Sequence, residues 1–495
     1  MKKLIFIIAI GSIARGAFGQ NEDDALRYSQ LYFGGSARNM GMAGAMSALG
    51  GDYSNVLSNP AGLARFKRDN FSATFNVENP MSNSDFNGTS NRNSGMAGNF
   101  SNLSYIRAFN LDPAKQDNWY TVTMGLGLNR IASYHERFEY SGIADSSLIH
   151  SFINQANGTS DSMLYSTFPF GAGLAWDTYA MDPDPFTTNT YVTGMSAGQV
   201  MHNRLVKRKG GMTEYNFNIA GNYGNKLFLG GAINAVNVHY DETFTHSETS
   251  MEAATIGLNG FDYTGELDID GWGWNARLGA IVHPVDWIRI GAGFQTPTFL
   301  RLNDYWSNNM TTYTDSTTYT SGAGNVPSGS YNYNVRTPFR ANASLGLVLK
   351  KFASVGVEIE YVNYTMANLS SRKFSASPYP FTTENAQIEN IYRSVFNYKF
   401  GAEARVTPEF YVRGGFAYFP SPFKENKGNI MYPTSFYTGG LGYNFGNLYL
   451  DFAFVMKTVV KDYYAYDPSL NGSHATVNMK NSQYLFTLGY RFGKD

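Results

Sequence analysis

The feature that most limits the fold of this chain is a two-residue alternation of large apolar side chains with small or polar ones, which recurs up to the C-terminus. In the last segment one set comprises Tyr484, Phe486, Leu488, Tyr490 and Phe492. The residues between them are Leu485, Thr487, Gly489 and Arg491. Because successive side chains of a strand point to opposite faces, the pattern predicts a β-strand with one apolar face.

Three further segments carry the same alternation. Their apolar faces are Val122, Met124, Leu126 and Leu128; Val355, Val357, Ile359 and Tyr361; and Leu448, Leu450, Phe452 and Phe454. In the second of them Glu358 and Glu360 fall on the opposite face, which keeps two carboxylates away from lipid. A soluble sandwich would explain any single segment, but repetition to the end of the chain favours a transmembrane barrel.

The first residues have the layout of an export signal. Two lysines precede an apolar run at residues 4–10, and small residues at Ala17 and Gly19 predict cleavage before about Gln20. The run is far shorter than the ~20 residues that a membrane-spanning helix needs. Since the rest of the sequence has no long apolar run, a chain in the membrane would cross it as strands. The expected location is the bacterial outer membrane.

Composition excludes several classes of protein. With 38 Lys+Arg, 39 Asp+Glu and a formal net charge of −1, the chain offers no broad basic surface for nucleic acid. The absence of cysteine excludes disulfides, thiolate metal sites and a lipidated cysteine. The 7 histidines lack metal-ligand spacing, and neither a GxSxG motif nor a phosphate-binding loop occurs. We therefore predict that the protein is not an enzyme and has no metal or cofactor.

Turn signals and long polar stretches divide the alternating segments. We interpret the turns at residues 110–113, 283–284, 406–408 and 445–447 as periplasmic. We interpret five stretches as extracellular loops, at roughly 132–213, 241–271, 301–338, 363–391 and 457–481.

The segment before the first alternating strand is rich in small residues and does not alternate. Its glycines and alanines leave little bulk, which suits a compact element enclosed by strands. They are Gly41, Ala43, Gly44, Ala45, Ala48, Gly50 and Gly51. Asn59-Pro60 predicts a tight turn. Composition alone also fits an ordinary glycine-rich loop.

Together these residues resemble the FadL/TodX family of outer-membrane transporters for long-chain fatty acids and other hydrophobic compounds, in the form found in Bacteroidetes-like bacteria. The resemblance begins with SARNMGMAGAMSALGGD at residues 36–52 and NPAGLA at residues 59–64. It continues through hairpin-like segments at 274–298, 339–364 and 398–423.

The resemblance implies an all-β fold, an antiparallel transmembrane barrel of about 14 strands with a small N-terminal hatch inside the lumen. The implied organisation is a signal peptide at residues 1–19, the hatch at 20–68 and the barrel at 69–495. It also implies passive transport of hydrophobic small molecules, with long-chain fatty acids as the expected substrates. Outer loops would capture the substrate, an interior pocket would hold it, and a lateral opening in the wall would release it into outer-membrane lipid.

Two groups of residues take part in this mechanism. The segment 163–183 carries large apolar side chains in a region expected to be exposed, and such patches often mark binding sites. We predict that they bind substrate; self-packing of a long loop is an equal alternative. They are Leu164, Phe168, Phe170, Leu174 and Trp176. The resemblance assigns Asn59, Pro60 and Ala61 to a turn that positions the hatch against the wall.

The inward face supplies further candidates. Gly125 and Gly127 are expected to leave room for the hatch, and a kink or bulge in the strand is the alternative. Inward charges are expected to pair mainly with one another or with water, and a substrate carboxylate is their other potential partner. They are Arg289, Glu358, Glu360, Glu403 and Arg413.

Two other functions stay open at this point. One is a subunit of a larger outer-membrane secretion or assembly complex with protein partners, since a fold does not determine a function. The other is a receptor for another hydrophobic ligand such as haem, with His150 or His202 as candidate axial ligands.

Overall fold

The computed structural model describes residues 21–493 except 113, 115–116, 196–198, 252–256, 322–325, 351, 374–377, 425–430 and 467–473. The predicted signal peptide therefore lies outside the described residues. Fourteen strands form one closed antiparallel barrel, which confirms the predicted fold class. Each strand pairs with its neighbour in the chain, and the first pairs with the last from Asp69–Phe492 to Asp85–Thr476.

The barrel strands have these bounds: β1 Asp69–Phe86, β2 Ala97–Asn110, β3 Trp119–Ser133, β4 Val200–Tyr223, β5 Leu227–Ser250, β6 Leu258–Val285, β7 Ile288–Gln295, β8 Arg340–Leu349, β9 Ala353–Asn363, β10 Ser394–Arg405, β11 Phe410–Phe419, β12 Thr434–Phe445, β13 Leu448–Tyr463 and β14 Ala475–Phe492.

The predicted faces are confirmed. Phe486 and Leu488 are about half exposed on the outer surface, whereas Leu485 is completely buried. Glu358 and Glu360 lie inside the barrel and are buried. The outer surface is therefore apolar where a bilayer would cover it, and the interior carries the polar groups. No helix in the described part of the chain is both long and apolar enough to cross a bilayer.

Several stretches predicted to be loops are strands instead. Strands β5 and β6 run through most of the stretch at 241–271 and pair from Gly260–Thr249 down to Val282–Leu227. Tyr263 and Ile269 point inward and are buried, while Asp268 and Asp270 point outward. The loop prediction was wrong because these parts of the strands extend beyond the apolar belt, the outer surface that a bilayer would cover. Their outward side chains meet water and are polar, so the sequence lacks the outward apolar residues by which the other strands were identified.

Shorter strands extend the same end of the wall. The strand Glu136–Ala144 pairs with the start of β4, and Phe299–Thr314 pairs with the first half of β6. The remaining strands are Thr89–Ser94, Thr318–Thr320, Ser328–Arg336, Asn368–Ser371, Asp182–Pro183 and Tyr191–Val192. Four helices also lie between the strands at this end: α3 Leu148–Ala156, α4 Asp161–Thr167, α5 Ala172–Asp177 and α6 Thr382–Ile391, with a 3-10 turn at Tyr364–Met366.

The N-terminal part of the chain fills the lumen in two pieces. The arm, residues 21–33, contains α1 Glu22–Ser29, which Asn21 caps by accepting a hydrogen bond from the Asp23 backbone at 3.0 Å. Tyr392, next to α6, donates its hydroxyl to the Glu22 carbonyl at 2.9 Å, so the arm begins among the extracellular elements. The hatch core, residues 34–68, contains α2 Ala37–Gly41 and 3-10 helices at Tyr53–Leu57 and Pro60–Arg65.

A cysteine-labelling experiment tests where the bilayer meets the wall, and the natural sequence has no cysteine to interfere. Ile233 is 67% exposed on the apolar belt, and Glu266 is exposed on the polar upper wall. In native membranes we expect Ile233→Cys to react with a water-soluble maleimide roughly tenfold more slowly than Glu266→Cys, because lipid covers it. Both should react alike after unfolding in detergent. Equal rates in the membrane would contradict the assigned belt.

Candidate functional site

The hatch core touches the wall mainly where the strands carry glycine. A Cβ at Gly356 of β9 would overlap the carbonyl oxygen of Ala45, and a Cβ at Gly401 of β10 would overlap that of Met42. Only glycine allows such close approach of two backbones. A Cβ would also overlap hatch backbone at Gly230, Gly293 and Gly415. At four further wall glycines it would crowd a hatch side chain: Gly125, Gly127, Gly279 and Gly346.

Two glycines of β3 have the role that the sequence predicts. A Cβ at Gly125 would lie 3.1 Å from the ring of Tyr53, and one at Gly127 would lie 2.8 Å from it. Tyr53 belongs to the hatch core and is buried. The prediction that Gly125 and Gly127 leave room for the hatch is confirmed.

The Asn59-Pro60-Ala61 turn lies where the hatch core contacts β6 of the wall. Asn59 is completely buried. Its Oδ1 accepts a hydrogen bond from the backbone N–H of Ala61 at 3.2 Å, and its Nδ2 donates to the Ala280 carbonyl of β6 at 3.0 Å. A Cβ at Gly279 would overlap Asn59 Oδ1. One side chain therefore both caps its own turn and joins that turn to the wall.

Charges bind the hatch core to the opposite wall. Arg38 donates from Nη2 to Glu403 Oε1 at 2.8 Å and from Nε to Oε2 at 2.9 Å. Arg413 donates to the same Glu403 Oε2 at 2.6 Å and also pairs with Asp451. Burial alone would lower the pKa of Arg38, but the Glu403 carboxylate holds that pKa above its ordinary value, so Arg38 stays charged.

Of the other inward charges, Glu358 and Glu360 form ion pairs, and Arg289 binds a backbone carbonyl. Lys399 Nζ lies 2.8 Å from Glu358 Oε1, and the same carboxylate accepts from the hydroxyl of Ser47 in the hatch core. Arg289 Nη1 donates to the Leu49 carbonyl at 2.8 Å. Arg340 pairs with Glu360 at 2.8 Å and also donates to the Ser29 carbonyl of the arm. The sequence identified the wall charges, but it missed their partners Arg38, Ser47, Lys399 and Arg340.

A row of buried amides joins five neighbouring strands, β2 to β6. Each amide lies 2.8 Å from the next across the inner wall. The residues are Asn102, Asn129, Asn216, Asn234 and Asn275. Sequence reasoning missed this row because its members lie on five separate strands.

Backbone pairing between β2 and β3 stops at this row. The pairing runs from Asn110–Thr121 to Asn102–Asn129, although the two strands continue to Ala97 and Ser133. At Ser101 the register of β2 against β1 shifts, and Ser101 Oγ donates to the Gly35 carbonyl of the hatch core at 2.7 Å.

We call residues 97–101 of β2 and 130–133 of β3 the unpaired edges, and side chains join them. Asn99 of β2 and Ser133 of β3 both donate to Glu78 Oε1, at 2.7 and 2.8 Å. Backbone hydrogen bonds between the two strands are absent over the unpaired edges, all of whose residues the structure describes.

A small cavity adjoins the unpaired edges on the inside. Its lining includes Pro80, Ser133, Glu136 and Lys457. Lys457 Nζ lies 4.5 Å from the centre of the ring of Tyr32 in the arm. Within the described ranges no carboxylate lies at salt-bridge distance from Lys457, whereas Glu136 is paired with Lys461 at 3.0 Å.

The loop residues predicted to bind substrate are only partly exposed. Leu164 and Leu174 are completely buried in a core formed by the loop helices, so the expectation of an exposed patch was wrong for these two. The self-packing alternative explains their burial. Phe168, Phe170 and Trp176 are half-buried at the edge of the same core.

Other loop residues are more exposed than those predicted. Met163 is 53% exposed and Phe186 is 95% exposed. The two candidate haem ligands are engaged otherwise. His150 Nδ1 accepts from the Ser147 backbone at 3.2 Å, and the ring of His202 is completely buried.

Comparison with known proteins agrees with this architecture. The family model described as "Outer membrane protein transport protein (OMPP1/FadL/TodX)" matches residues 33–493. No curated protein matches the sequence. At the identities of the structural matches below, the likeness establishes the fold alone.

Three solved structures illustrate the likeness. A Pseudomonas aeruginosa FadL homologue is 12% identical, with a TM-score of 0.56 over 94% of this chain and 99% of that chain. The Pseudomonas putida toluene transporter TodX is 14% identical, with a TM-score of 0.53 over 93% and 98%. The CymD monoaromatic hydrocarbon channel is 13% identical, with a TM-score of 0.50 over 93% and 98%.

Replacing a wall glycine tests how tightly the hatch core is seated. We expect Gly356→Val to displace the hatch core, because its side chain would overlap the Ala45 carbonyl. The ion conductance of the purified protein in planar bilayers should then rise several-fold. Gly439→Val is the matched control, since a Cβ at Gly439 meets no atom within 4 Å. Unchanged conductance of the Gly356 variant would contradict the seating described above.

Proposed function

The chain belongs to the outer membrane protein transport protein family (OMPP1/FadL/TodX), and from this premise we propose that it carries long-chain fatty acids passively across the outer membrane and releases them sideways into lipid. The family is one of transporters of hydrophobic compounds. The observation that carries the finer proposal is the pair of unpaired edges in the wall beside a small cavity lined by Lys457, which forms no salt bridge with any residue that the structure describes.

Lateral release is favoured by the weakness of the wall at the unpaired edges. In most other strand pairs the backbone ladder covers nearly all of the shorter strand, but here two side-chain bonds to Glu78 join the strands. A hydrogen bond to a carboxylate contributes about 1.5–3 kcal/mol, so two such bonds hold the edges where a backbone ladder would supply more of them. An apolar molecule gains free energy by moving directly from an apolar pocket to lipid, since it then avoids water.

A carboxylic acid is favoured over a neutral hydrocarbon by Lys457. Its ammonium lies inside the barrel next to the cavity and contacts the ring of Tyr32. A bound carboxylate would supply the missing counter-charge in a site of low dielectric.

Capture at the outer end uses the predicted loop residues in two ways. Phe168, Phe170 and Trp176 offer half-buried apolar surface to the incoming chain. Leu164 and Leu174 support them from the buried core of the loop. The Asn59-Pro60-Ala61 turn keeps the hatch core in place and makes no contact with substrate.

A reversible cross-link tests lateral release. In Asn99→Cys/Ser133→Cys a disulfide or a short thiol cross-linker would join the unpaired edges, because both native side chains reach the same oxygen of Glu78. We expect uptake of a labelled long-chain fatty acid to fall at least about tenfold on cross-linking and to return on reduction.

The control joins two strands that are already paired. Arg107→Cys/Met124→Cys links directly opposite residues of β2 and β3 and should leave uptake unchanged. Full uptake through the cross-linked edges, with the cross-link verified by mass spectrometry, would rule out release at this place.

Lipid extraction and mass spectrometry test substrate and capture. The purified barrel should carry a long-chain acid, and Trp176→Ala should lose most of it because the capture surface is truncated. Trp287→Ala, in the turn at the other end of the barrel, should retain it. Lys457→Met should lose acids about tenfold more than neutral hydrocarbons, since the variant removes the counter-charge.

An empty barrel that instead copurifies with other outer-membrane proteins would contradict transport. That result would favour the alternative of a subunit in a larger assembly.

A further inference from the structure

Three buried side chains at the extracellular tip of the wall form a group that the transport proposal does not use. They are His202 of β4 and His246 and Glu248 of β5, and at most 1% of each is exposed. His202 and Glu248 are directly opposite each other in the β4–β5 ladder, and His246 shares their inward face. One donor atom from each lies within 4.8 Å of the other two.

The group is compact enough for one small cation. His202 Nε2 donates its proton to the Ser146 carbonyl, so Nδ1 is the atom of that ring with a lone pair for a metal. Zinc bonds of about 2.0–2.2 Å in a tetrahedral site set ligand atoms roughly 3.3–3.6 Å apart. The three residues offer donor atoms within 4.8 Å of one another, so side-chain rotations would bring them to that spacing.

The unsatisfied atoms of the group also indicate a cation. His202 Nδ1, His246 Nδ1 and Glu248 Oε2 are buried and have no hydrogen-bond partner in the described part of the protein. Buried polar atoms normally have partners, and three orphans in one group require an explanation. The nearby Arg204 does not supply the charge, because its Nε donates to the Tyr463 hydroxyl at 2.9 Å and its guanidinium stacks on Phe244.

We propose that His202, His246 and Glu248 bind a divalent metal ion of the zinc class. Two imidazoles and one carboxylate are a ligand set that zinc favours over calcium or magnesium, which prefer oxygen alone. The Ser146 carbonyl accepts from His202 Nε2 at 2.9 Å and so orients that ring, as outer partners of metal-binding histidines do. Water completes the coordination.

The metal holds the extracellular loop to the wall. Glu248 Oε1 accepts from the Leu148 backbone at 2.8 Å, which is the first residue of α3. Ser146, two residues earlier, bonds both His202 and the Tyr466 hydroxyl. A metal at this point therefore fixes the beginning of the segment that carries α3, α4 and α5. It acts as a structural ion, because burial of all three ligands excludes a substrate.

Zinc binding to the full-length, untagged protein in detergent tests the site. After chelator treatment and dialysis, we expect the wild type to take up one equivalent of Zn²⁺, measured by elemental mass spectrometry. His246→Asn and Glu248→Gln should each weaken binding at least about tenfold. His239→Asn is the matched control, since His239 lies with Asp241 and Asp270 on the exposed outer wall and could bind zinc adventitiously.

A second measurement covers variants that fail to fold. In the wild type, removal of zinc should speed proteolysis within residues 148–177 several-fold while the barrel keeps its heat-modifiable migration in gels. Cobalt substitution should add the visible absorption of a tetrahedral site, which surface binding would not. Less than about one-tenth of an equivalent of zinc in the wild type, or stoichiometric binding that survives His246→Asn, would overturn the proposal.

Discussion

The contact between two backbones, that of the hatch core and that of the wall, is the constraint on which the rest of the structure depends. A barrel of fourteen strands is too wide for its own side chains to fill, so another part of the chain must occupy the lumen. At Gly356 and Gly401 the wall removes every side-chain atom to admit the carbonyls of Ala45 and Met42. The apolar outer face and the inward charges can then be arranged around an interior that is already closed.

Polar pairs complete the fit of hatch and wall. Burying a carboxylate without a partner is expensive, whereas Glu403 meets two arginines and Glu358 meets both Lys399 and Ser47. Because one partner in each group belongs to the hatch core, displacement of the hatch would cost Glu403 one of its two arginines and Glu358 the hydroxyl of Ser47. The unpaired edges of β2 and β3 differ, since a wall residue, Glu78, joins them through Asn99 and Ser133.

The sequence predicted the barrel because alternation is a local pattern that survives any loop arrangement. The faces of β3, β9, β13 and β14 followed from it directly, whereas the hatch was implied by the resemblance to the FadL/TodX family. The upper wall was misread at 241–271, where water on the outside removes the apolar half of the signal. The amide row, the partners of the charges and the interrupted pairing depend on residues that are distant in the chain, so no local pattern reports them. The burial of Leu164 and Leu174 likewise follows from how three short helices pack together.

The path of the arm has a consequence for how the molecule is assembled. The arm starts among the extracellular elements, where Tyr392 binds the Glu22 carbonyl, and descends through the lumen before β1 joins the wall. The ladder between β1 and β14 joins the two ends of the chain and is the last that can form in order of synthesis. Once it has formed, the bulky wall offers the arm and the hatch core no route inward. The N-terminal segment must therefore lie inside the partly closed barrel before the final strand pairs with β1, so the topology determines the order of assembly.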